Sequence, residues 1–523
     1  MFIFNLIVFV LVLGVIILIH ELGHFFFAKR AKILCHEFAI GMGPALWQKR
    51  KGETIYSIRS IPIGGFVSMA GEAISDALIK KEQVIGINLN QKGQITTINL
   101  TEEVSSEIIG VVKDYDLYGK AFNPLFIVLN VNGVDQTFSV LRDAKYVLSP
   151  KREMWITPSE KSFESKTLWQ RFLVIFAGPM MNFILAFFIF LIVGLFLVKP
   201  NTDSSTLGTV GSSSAAFEYG LIEGDIIKSI NGQSVNSWND ISSIMANLNH
   251  STLNLTYERE GVLYQPTDDM VLSVVIQMAN ITNFTSEGVR YNDQPIIGQA
   301  AGRASANGGL ASGDIVKTII IDNNTYTIHS WDDIISVFRN HTQGSVKFTY
   351  ERDGETKETT FELLSERALT KLGYQGIVFQ MGVSPTTSYN LGYSLLYPFQ
   401  AVTNNVLQVL NTLGLLFDRQ ENLGIGDLSG PVGIFNLVSQ TTRQGFLSIL
   451  SFTAFLSINI GLLNLLPIPA LDGGRLVFLG VEAITKKPLN RKLENTINNV
   501  MFFLLIGLFI FVTYNDILRL IQG

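Results

Sequence analysis

The feature that most constrains this chain is the stretch HELGH at residues 20–24, near the end of an apolar run over residues 2–28. Two histidines four residues apart on a helix are one turn apart on the same face, so both imidazoles can reach a single ion. Ionisable side chains inside a membrane-length apolar segment are costly unless they face a cavity or serve chemistry. The run therefore predicts a transmembrane helix over residues 1–30 that contributes His20 and His24 to a metal site.

Glu21 follows the first histidine, where its carboxylate is placed to take a proton from a water molecule at the metal. This HExxH pattern is typical of zinc hydrolases, so the predicted cofactor is Zn²⁺. The alternative is a chance occurrence on an ordinary helix, with both histidines satisfied by local hydrogen bonds. The membrane-length apolar surroundings disfavour that alternative.

Composition supports a membrane protein with soluble parts, because 47% of the 523 residues are hydrophobic and only 16% are charged. The net charge of −5 is small for this length and no long basic block occurs, so nothing indicates a nucleic-acid partner. Cys35 is the only cysteine, which excludes an internal disulfide and a cysteine-based zinc site. No basic residue precedes the first apolar run, and we therefore expect a retained helix and not a cleaved signal peptide.

Four apolar stretches predict a polytopic α-helical membrane protein. The predicted spans are residues 1–30, 165–199, 446–485 and 498–520. Lys29 and Arg30 end the first span, and Lys166 and Arg171 lie at the start of the second, which places these ends at the cytoplasmic face. We therefore predict a multi-pass protein of the bacterial cell membrane with both termini outside and the metal site near the cytoplasmic face, in contact with the lipid bilayer.

Two β-patterned regions separate the first two spans. Residues 36–72 predict a membrane-associated β-hairpin whose glycine pairs form tight turns, and Gly64 and Gly65 are candidate oxyanion or substrate-contacting residues. A hairpin beside the active site would offer an open strand edge to an extended substrate. The pattern is equally compatible with a surface hairpin that has no role in binding. Residues 73–162 predict a small β-rich insert on the cytoplasmic side.

An internal repeat fills much of the segment between the second and third spans. The stretch GLIEGDIIKSINGQSVNSWNDISSIM starts at Gly220, and GLASGDIVKTIIIDNNTYTIHSWDDIISVF starts at Gly309. We predict tandem PDZ-like α+β domains over residues 200–300 and 301–389, on the extracytoplasmic side. Two roles remain open for them, peptide capture by strand addition and a steric filter or spacer. Residues 390–445 predict amphipathic helices along the membrane surface.

The stretch NLLPIPALDGG supplies what the HELGH motif lacks. Zinc in hydrolases commonly takes three protein ligands, so Asp472 is the candidate third ligand; its alternative is a helix N-cap. Asn464 is either an oxyanion donor or a partner in a helix–helix hydrogen bond. Asn182, in the second span, is a polar residue facing either the helix bundle or the site, where it would contact substrate.

At this point the chain resembles a known family. HELGH in the first span, AGPMMN in the second, the PDZ-like repeat and NLLPIPALDGG in the third, in this order, are similar to the site-2 protease family. These are M50-type intramembrane zinc metalloproteases, and the resemblance is to their bacterial RseP- and RasP-like branch. The insert at residues 73–162 resembles the one in Firmicute members, which usually carry one PDZ-like unit instead of two.

The resemblance implies regulated intramembrane proteolysis of single-pass membrane proteins. Expected substrates are anti-sigma factors already trimmed by a site-1 protease, and signal-peptide remnants. Carried over residue by residue, His20, His24 and Asp472 would hold zinc, and Glu21 would be the catalytic base.

Two functions of other classes compete with proteolysis. A membrane metal transporter would also place histidines and acids inside the bilayer, but it predicts polar residues along several spans, and the last span lacks them. A zinc-bearing PDZ scaffold that does not cleave is the third interpretation, and the intact Glu21 argues against it.

Overall fold

The computed structural model describes residues 1–71, 78–120, 123–150, 152–291, 293–305, 309–416, 418, 428–487 and 490–522. The predicted boundary between the hairpin and the insert, at residues 72 and 73, lies outside these residues. The chain divides into two compact units, Met1–Ile189 with Leu437–Gly507, and Phe190–Asn436 with Leu508–Gly523. All the predicted site residues belong to the first unit.

Eleven α-helices occur among the described residues. In chain order they are α1 (Phe2–Arg30), α2 (Leu168–Phe196), α3 (Ala215–Glu218), α4 (Trp238–Ala246), α5 (Trp331–Asn340), α6 (Glu366–Leu372), α7 (Leu391–Leu416), α8 (Pro431–Arg443), α9 (Phe446–Leu465), α10 (Asp472–Thr485) and α11 (Arg491–Gln522). Within the described residues, α1, α2, α9 and the Lys492–Leu518 part of α11 are long and apolar enough to cross a membrane. Each of these helices overlaps one of the four predicted spans.

The third predicted span contains two helices, and its prolines indicate the break between them. Residues 446–485 are not one helix, because α9 ends at Leu465 and the LDGG segment starts a separate helix, α10. Pro467 and Pro469 lie between the two helices, and proline lacks the N–H that a continuing helix needs. Asp472 is therefore the first residue of a new helix.

One face of α1 is buried along its whole length. Its buried side chains recur every three or four residues and are Asn5, Phe9, Val12, Ile16, His20, Gly23, His24 and Ala28. This spacing is that of a single helical face. The two histidines therefore continue an inward-facing apolar stripe, whereas Leu22 on the other side is exposed.

The hairpin region begins five residues after the end of α1. Its strands are β1 (Cys35–Lys51) and β2 (Thr54–Met69), which pair in antiparallel fashion. The first half of β1 has neighbours on both sides, since Phe38 pairs with Tyr56 and also with Val67. The end of β2 therefore folds back beside the start of β1 and forms an edge of this small sheet.

The insert is a separate β layer of the first unit. Its strands are β3 (Val84–Leu89), β4 (Ile95–Asn99), β5 (Ile108–Asp116), β6 (Phe126–Val131), β7 (Val134–Ser149) and β8 (Arg152–Trp155). The order is β4-β3-β5-β6-β7-β8, and a further pairing of β4 with the second half of β7 closes the sheet on itself. Isoleucines fill the interior, among them Ile87, Ile95 and Ile127. Two 3-10 turns, Ser159–Lys161 and Phe163–Ser165, then lead to α2.

The second unit contains the repeat. Its strands are β9 (Lys199–Pro200), β10 (Leu207–Val210), β11 (Ile226–Ile230), β12 (Gln233–Ser234), β13 (Thr252–Leu253), β14 (Leu255–Arg259), β15 (Val262–Tyr264), β16 (Met270–Val271), β17 (Ser273–Ile276), β18 (Ile281–Thr282), β19 (Gln299–Ala300), β20 (Ile315–Ile321), β21 (Asn324–Thr327), β22 (Ser345–Arg352), β23 (Glu355–Glu362), β24 (Ile377–Gln380), β25 (Val383–Pro385) and β26 (Thr387–Ser388). The order β12-β11-β14-β15 in the first copy matches β21-β20-β22-β23 in the second. Both helices that follow, α4 and α5, begin with a capping box, so the sequence repeat is a structural repeat.

The two copies are interleaved. Strand β10, which precedes the first copy, pairs with β25, which follows the second. Strand β19, at the start of the second copy, pairs with β18 at the end of the first, and β17 pairs with β24. One hydrophobic core extends from Leu207 to Met381 through both copies. The predicted division at residues 300 and 301 thus falls beside strand pairings that join the two copies.

Helices α7 and α8 occupy the region predicted to lie along the membrane surface. Residues 419–427, between them, lie outside the described part of the chain, and the surface location stays a prediction. The carboxylate of Asp516 in α11 accepts a hydrogen bond of 2.8 Å from the backbone N–H of Gly433 near the start of α8. A carboxylate at a helix N-terminus satisfies free N–H groups and complements the helix dipole.

Candidate metal centre

Three potential metal ligands converge in the first unit. The Nε2 atoms of His20 and His24 are 3.2 Å apart, and Asp472 Oδ2 lies 3.1 Å from the first and 3.4 Å from the second. All three side chains are largely buried. No other group of three or more such side chains was found near one another among the described residues. The structure thus brings together two residues from α1 and one from a segment about 450 positions away.

These separations fit a zinc ion. Zinc–nitrogen and zinc–oxygen bonds of 2.0–2.1 Å in a tetrahedral arrangement place neighbouring ligand atoms about 3.3–3.4 Å apart. Asp472 Oδ2 is buried and makes no well-formed hydrogen bond within the described residues. A buried carboxylate oxygen without a donor is costly, and a cation between the three atoms removes that cost.

Gly178 of α2 lines the same space. A methyl group at this position would overlap His24 Nε2 and lie 2.8 Å from His20 Nε2. The backbone of α2 therefore approaches the ligand atoms as closely as a glycine permits, and any other side chain would fill the site. The sequence signal was the Ala177-Gly178-Pro179 stretch, whose interpretation as a close-packing element did not identify what Gly178 faces.

The loop before α10 directs Asp472 into the site. Gly474 lies so close to the carbonyl group of Ile468 that a Cβ there would overlap it, which requires glycine in this tight reversal. The N–H of Ala470 donates a hydrogen bond of 3.0 Å to Asn498 Oδ1 in α11. Asn498 gave no sequence signal, because nothing in its local pattern links it to a loop 28 residues earlier.

An ion pair ties α10 to α2. Arg171 donates to both carboxylate oxygens of Glu482, at 2.5 and 3.1 Å, and both side chains are largely buried. Bidentate pairs of this kind fix geometry as well as contributing energy. Sequence patterns missed this pair, since Arg171 served only as a charge marker for topology.

Glu21 lies between the ligands and the end of β2. The backbone N–H of Val67 donates a hydrogen bond to its carboxylate. A methyl group at Gly65 would lie 3.2 Å from Glu21 Cγ, so the strand passes directly beside the predicted base. Gly64 is different, because its nearest neighbour is the side chain of Met42. The hairpin thus contacts the predicted base through Gly65 and Val67.

Helix α2 also contacts Nδ1 of each histidine, the ring nitrogen that faces away from the other two predicted ligands. His24 Nδ1 lies 2.7 Å from the carbonyl oxygen of Val174, and His20 Nδ1 lies 3.3 Å from Asn182 Nδ2. Ligating histidines are commonly oriented through the nitrogen that does not bind the metal. Asn182 therefore touches a predicted ligand.

Asn464 has a local partner. Its Nδ2 donates a hydrogen bond of 3.0 Å to the carbonyl oxygen of Ile460, one turn earlier in α9. This contact is neither of the two alternatives that the sequence offered, and the oxyanion role stays a prediction. The roles of the other site residues are likewise predictions, now with the distances given above.

Comparisons with known proteins identify the family of this chain. A model of peptidase family M50 matches residues 8–508. The regulator of sigma-W protease RasP of Bacillus subtilis is 30% identical over 529 residues, which cover 99% of this chain and 100% of that protein. The zinc metalloproteases RasP of Bacillus licheniformis and Shouchella clausii are each 31% identical, over 99% of this chain and 99% of their own lengths.

The second PDZ-like unit as a departure from these relatives stays a prediction.

Proposed function

This chain belongs to peptidase family M50 and is an intramembrane zinc metalloprotease of the site-2 type, and from this premise we propose that His20, His24 and Asp472 hold the zinc ion and that Glu21 is the catalytic base. The observation that carries the proposal is the convergence of the three ligand atoms within 3.1–3.4 Å beside a carboxylate.

Each residue has a distinct task in peptide hydrolysis. Zinc, when bound, supplies Lewis acidity that makes water a stronger acid and polarises a carbonyl group. Glu21 accepts the proton of the attacking water and passes it to the nitrogen of the leaving amine. The N–H of Val67 holds the Glu21 carboxylate in position, and the absence of a side chain at Gly65 leaves room for it.

We propose that substrate binds as an extended strand along the end of β2. Peptide bonds in a helix keep their carbonyl groups hydrogen-bonded, so a transmembrane substrate must unwind locally before attack. The contact of Gly65 and Val67 with Glu21 supports this edge as the binding strand. Substrates should therefore carry helix-weakening residues near the cleaved bond.

The proposed substrates are single-pass membrane proteins. The name of the Bacillus subtilis relative describes a regulator of sigma-W, which supports an anti-sigma factor, already shortened outside the membrane, as one substrate. Signal-peptide remnants are the second proposed class. Regulated intramembrane proteolysis joins both, since each substrate is presented after an earlier cleavage.

We further propose that both termini and the repeat lie outside the cell, with the insert and the metal centre near the cytoplasm. The basic residues that flank the first two helices support this orientation. Burial raises the pKa of the Cys35 thiol to about 11, so the native cysteine reacts slowly with maleimides. In intact cells an impermeant maleimide should label Asp203→Cys before the repeat and spare Lys92→Cys in the insert. The reverse pattern would invert the topology.

The two interleaved copies, residues 207–388, are here called the repeat body. Its structure favours peptide capture over a passive spacer. Strand β24 is the last strand of its sheet among the described residues, and a groove of about 270 Å³ lies beside it, lined by Phe338, Arg339 and Gly376 among others. An open strand edge next to a helix is suited to strand addition. Ile377→Pro should weaken peptide capture without changing zinc content, whereas a steric filter would be indifferent to it.

The decisive experiment compares wild type with Glu21→Gln in detergent, using tagged single-pass membrane proteins, trimmed and untrimmed, with zinc measured on both. We expect cleavage to fall at least about 100-fold with zinc retained. Normal cleavage by Glu21→Gln would reject the assigned base. Zinc without cleavage of any substrate by wild type would favour the scaffold interpretation.

A further inference from the structure

We propose that Asn182 is a positioning residue for His20: its side-chain oxygen accepts a hydrogen bond from His20 Nδ1–H and so keeps the Nε2 lone pair directed at the metal position. This inference rests on the proposed function, because it takes His20 as a ligand through Nε2. It gives Asn182 a role different from substrate contact.

The two ring nitrogens of His20 have different surroundings. Nε2 lies 3.1 Å from Asp472 Oδ2 and 3.2 Å from His24 Nε2, whereas Nδ1 faces the amide of Asn182 at 3.3 Å. A neutral imidazole carries one proton, so a metal-binding Nε2 requires that Nδ1 be protonated. Nδ1–H then needs an acceptor, and the amide oxygen of Asn182 is the group within reach.

The side-chain oxygen of Asn182 is available to accept a hydrogen bond. Its Oδ1 is buried and has no hydrogen-bond partner within the described part of the chain. The two terminal atoms of an amide are similar in size and are assigned from their hydrogen-bond partners, so half a turn of the group brings Oδ1 to His20 Nδ1. The same rotation removes the clash of two donors that the protonated nitrogen would otherwise meet.

Packing fixes this amide in place. Asn182 is fully buried, and its backbone carbonyl accepts a hydrogen bond of 2.8 Å from Ser457 Oγ of α9. A Cβ at Gly461 would lie 3.1 Å from the Asn182 Cβ, so α9 packs tightly against this side of α2. A side chain without solvent access in such a contact is suited to orient a neighbour and unsuited to reach a substrate.

His24 provides an internal comparison. Its Nδ1 faces the carbonyl oxygen of Val174 at 2.7 Å, and a carbonyl only accepts, so Nδ1 carries the proton and Nε2 is free. Helix α2 therefore supplies an acceptor to each histidine, a backbone group for His24 and a side chain for His20. A substitution can remove only the acceptor for His20, because the acceptor for His24 is a backbone group.

The test measures zinc affinity of the purified full-length protein by chelator competition, together with cleavage. Asn182→Leu, of similar volume but with no acceptor, should weaken zinc binding about 10- to 100-fold. Asn182→Asp, which keeps an acceptor, should remain within about tenfold of wild type. Asn459→Leu is the matched control, because it makes the same change in α9 at an amide that donates to the carbonyl oxygen of Phe455 in its own helix, and its zinc affinity should match wild type.

Wild-type zinc affinity in a folded Asn182→Leu protein would overturn the inference, and so would a folded Asn182→Asp protein as weak as Asn182→Leu. If Asn182→Leu does not fold, Asn182→Ala removes the acceptor without adding volume and gives the same readout. Asp472→Ala distinguishes failure of the proposed ligand set from failure of the proposed role of Asn182. Zinc retained in Asp472→Ala would reject the proposed ligand set, whereas zinc lost there but kept in Asn182→Leu would reject only the role of Asn182.

Discussion

The metal centre and the repeat body both bury charged side chains, and they do so in opposite ways. In the metal centre, Asp472 Oδ2 lacks a well-formed hydrogen bond within the described residues while two imidazole nitrogens point at it. In the repeat body, Asp314 receives hydrogen bonds at both carboxylate oxygens, of 2.7 Å each, from Nε and a terminal nitrogen of Arg352. The second carboxylate is satisfied by protein groups alone.

The same arrangement occurs in the other repeat copy. Arg259 donates to both oxygens of Asp225, at 2.7 and 2.8 Å, and the same arginine reaches the carbonyl oxygen of Gly220, as Arg352 reaches that of Gly309. Both aspartate side chains are fully buried. The Gly-Asp turns and the Tyr-Glu-Arg endings of the sequence repeat are thus the two halves of one ion pair.

The difference teaches how to interpret a buried charge. A buried charge whose hydrogen bonds are complete needs no ligand, whereas a cluster of buried acceptors left facing one another favours a bound cation. By this criterion the acids of the repeat are structural, whereas Asp472 fits the proposed metal centre. Each part of the contrast can be tested by substitution.

The largest effect is expected from Gly178→Ala. The added methyl would overlap His24 Nε2, so we expect zinc affinity to fall at least 100-fold and cleavage to be lost. Gly14→Ala is the control, because it makes the same change in a helix long enough to span a membrane, at a position where the added methyl meets no atom beyond its own stretch of helix. Zinc content by atomic absorption and cleavage should separate the two variants. Normal zinc binding by Gly178→Ala would contradict the assigned centre.

The next largest effect concerns the repeat ion pairs. Asp314→Asn leaves the Arg352 charge uncompensated, and we expect a loss of about 3 kcal/mol of stability with zinc content unchanged. Asp225→Asn should behave alike, because its contacts are the same. Thermal unfolding and protease resistance of the full-length protein measure this. If either variant lost zinc, the distinction between the two regions would fail.

A smaller effect should distinguish the two copies from each other. Trp331 is fully buried and its Nε1 donates a hydrogen bond of 2.9 Å to the carbonyl oxygen of Ile296, whereas the equivalent Trp238 is only partly buried. Trp331→Phe should cost about 2 kcal/mol, from the cavity and the unpaired carbonyl, and Trp238→Phe about 0.5 kcal/mol. Equal unfolding temperatures for the two variants would show that the copies contribute equally to the core.

The effect that is smallest at neutral pH comes from His36, a buried imidazole outside the metal centre and outside the repeat body. Burial lowers the pKa of His36 to about 4, and its Nδ1 has no partner among the described residues. Below pH 6.5 the unfolded chain therefore binds more protons than the folded chain. The free energy of unfolding is then unaffected by His36 above pH 6.5 and decreases as the pH falls from 6.5 towards 4. The slope should reach about 1.4 kcal/mol per pH unit. His36→Gln should lack this component in unfolding measured at several pH values, and an unchanged profile would contradict it.

Much of the fold follows from sequence pattern. The four helices long and apolar enough to cross a membrane, the β-rich insert and the repeat each carry a local signal, namely hydropathy, strand alternation or self-similarity. Helix ends were less predictable, since α11 extends from Arg491 to Gln522 although its apolar part is shorter. The interleaving of the copies had no signal, because strands such as β18 and β25 have only two or three residues, and pairing between distant segments leaves no trace in either one.

The sequence by itself determined which chemical groups the proposed site can use: HELGH places two imidazoles and a carboxylate on one helix, and LDGG offers a second carboxylate beside a helix break. Only the tertiary structure decided that these atoms meet within 3.1–3.4 Å, that Gly178 leaves space for an ion, and that Asn182 faces His20 instead of solvent. The physical reason is range. Helical periodicity places residues four apart on one face, but contacts between helices depend on packing at glycines, breaks at prolines and hydrogen bonds across hundreds of residues.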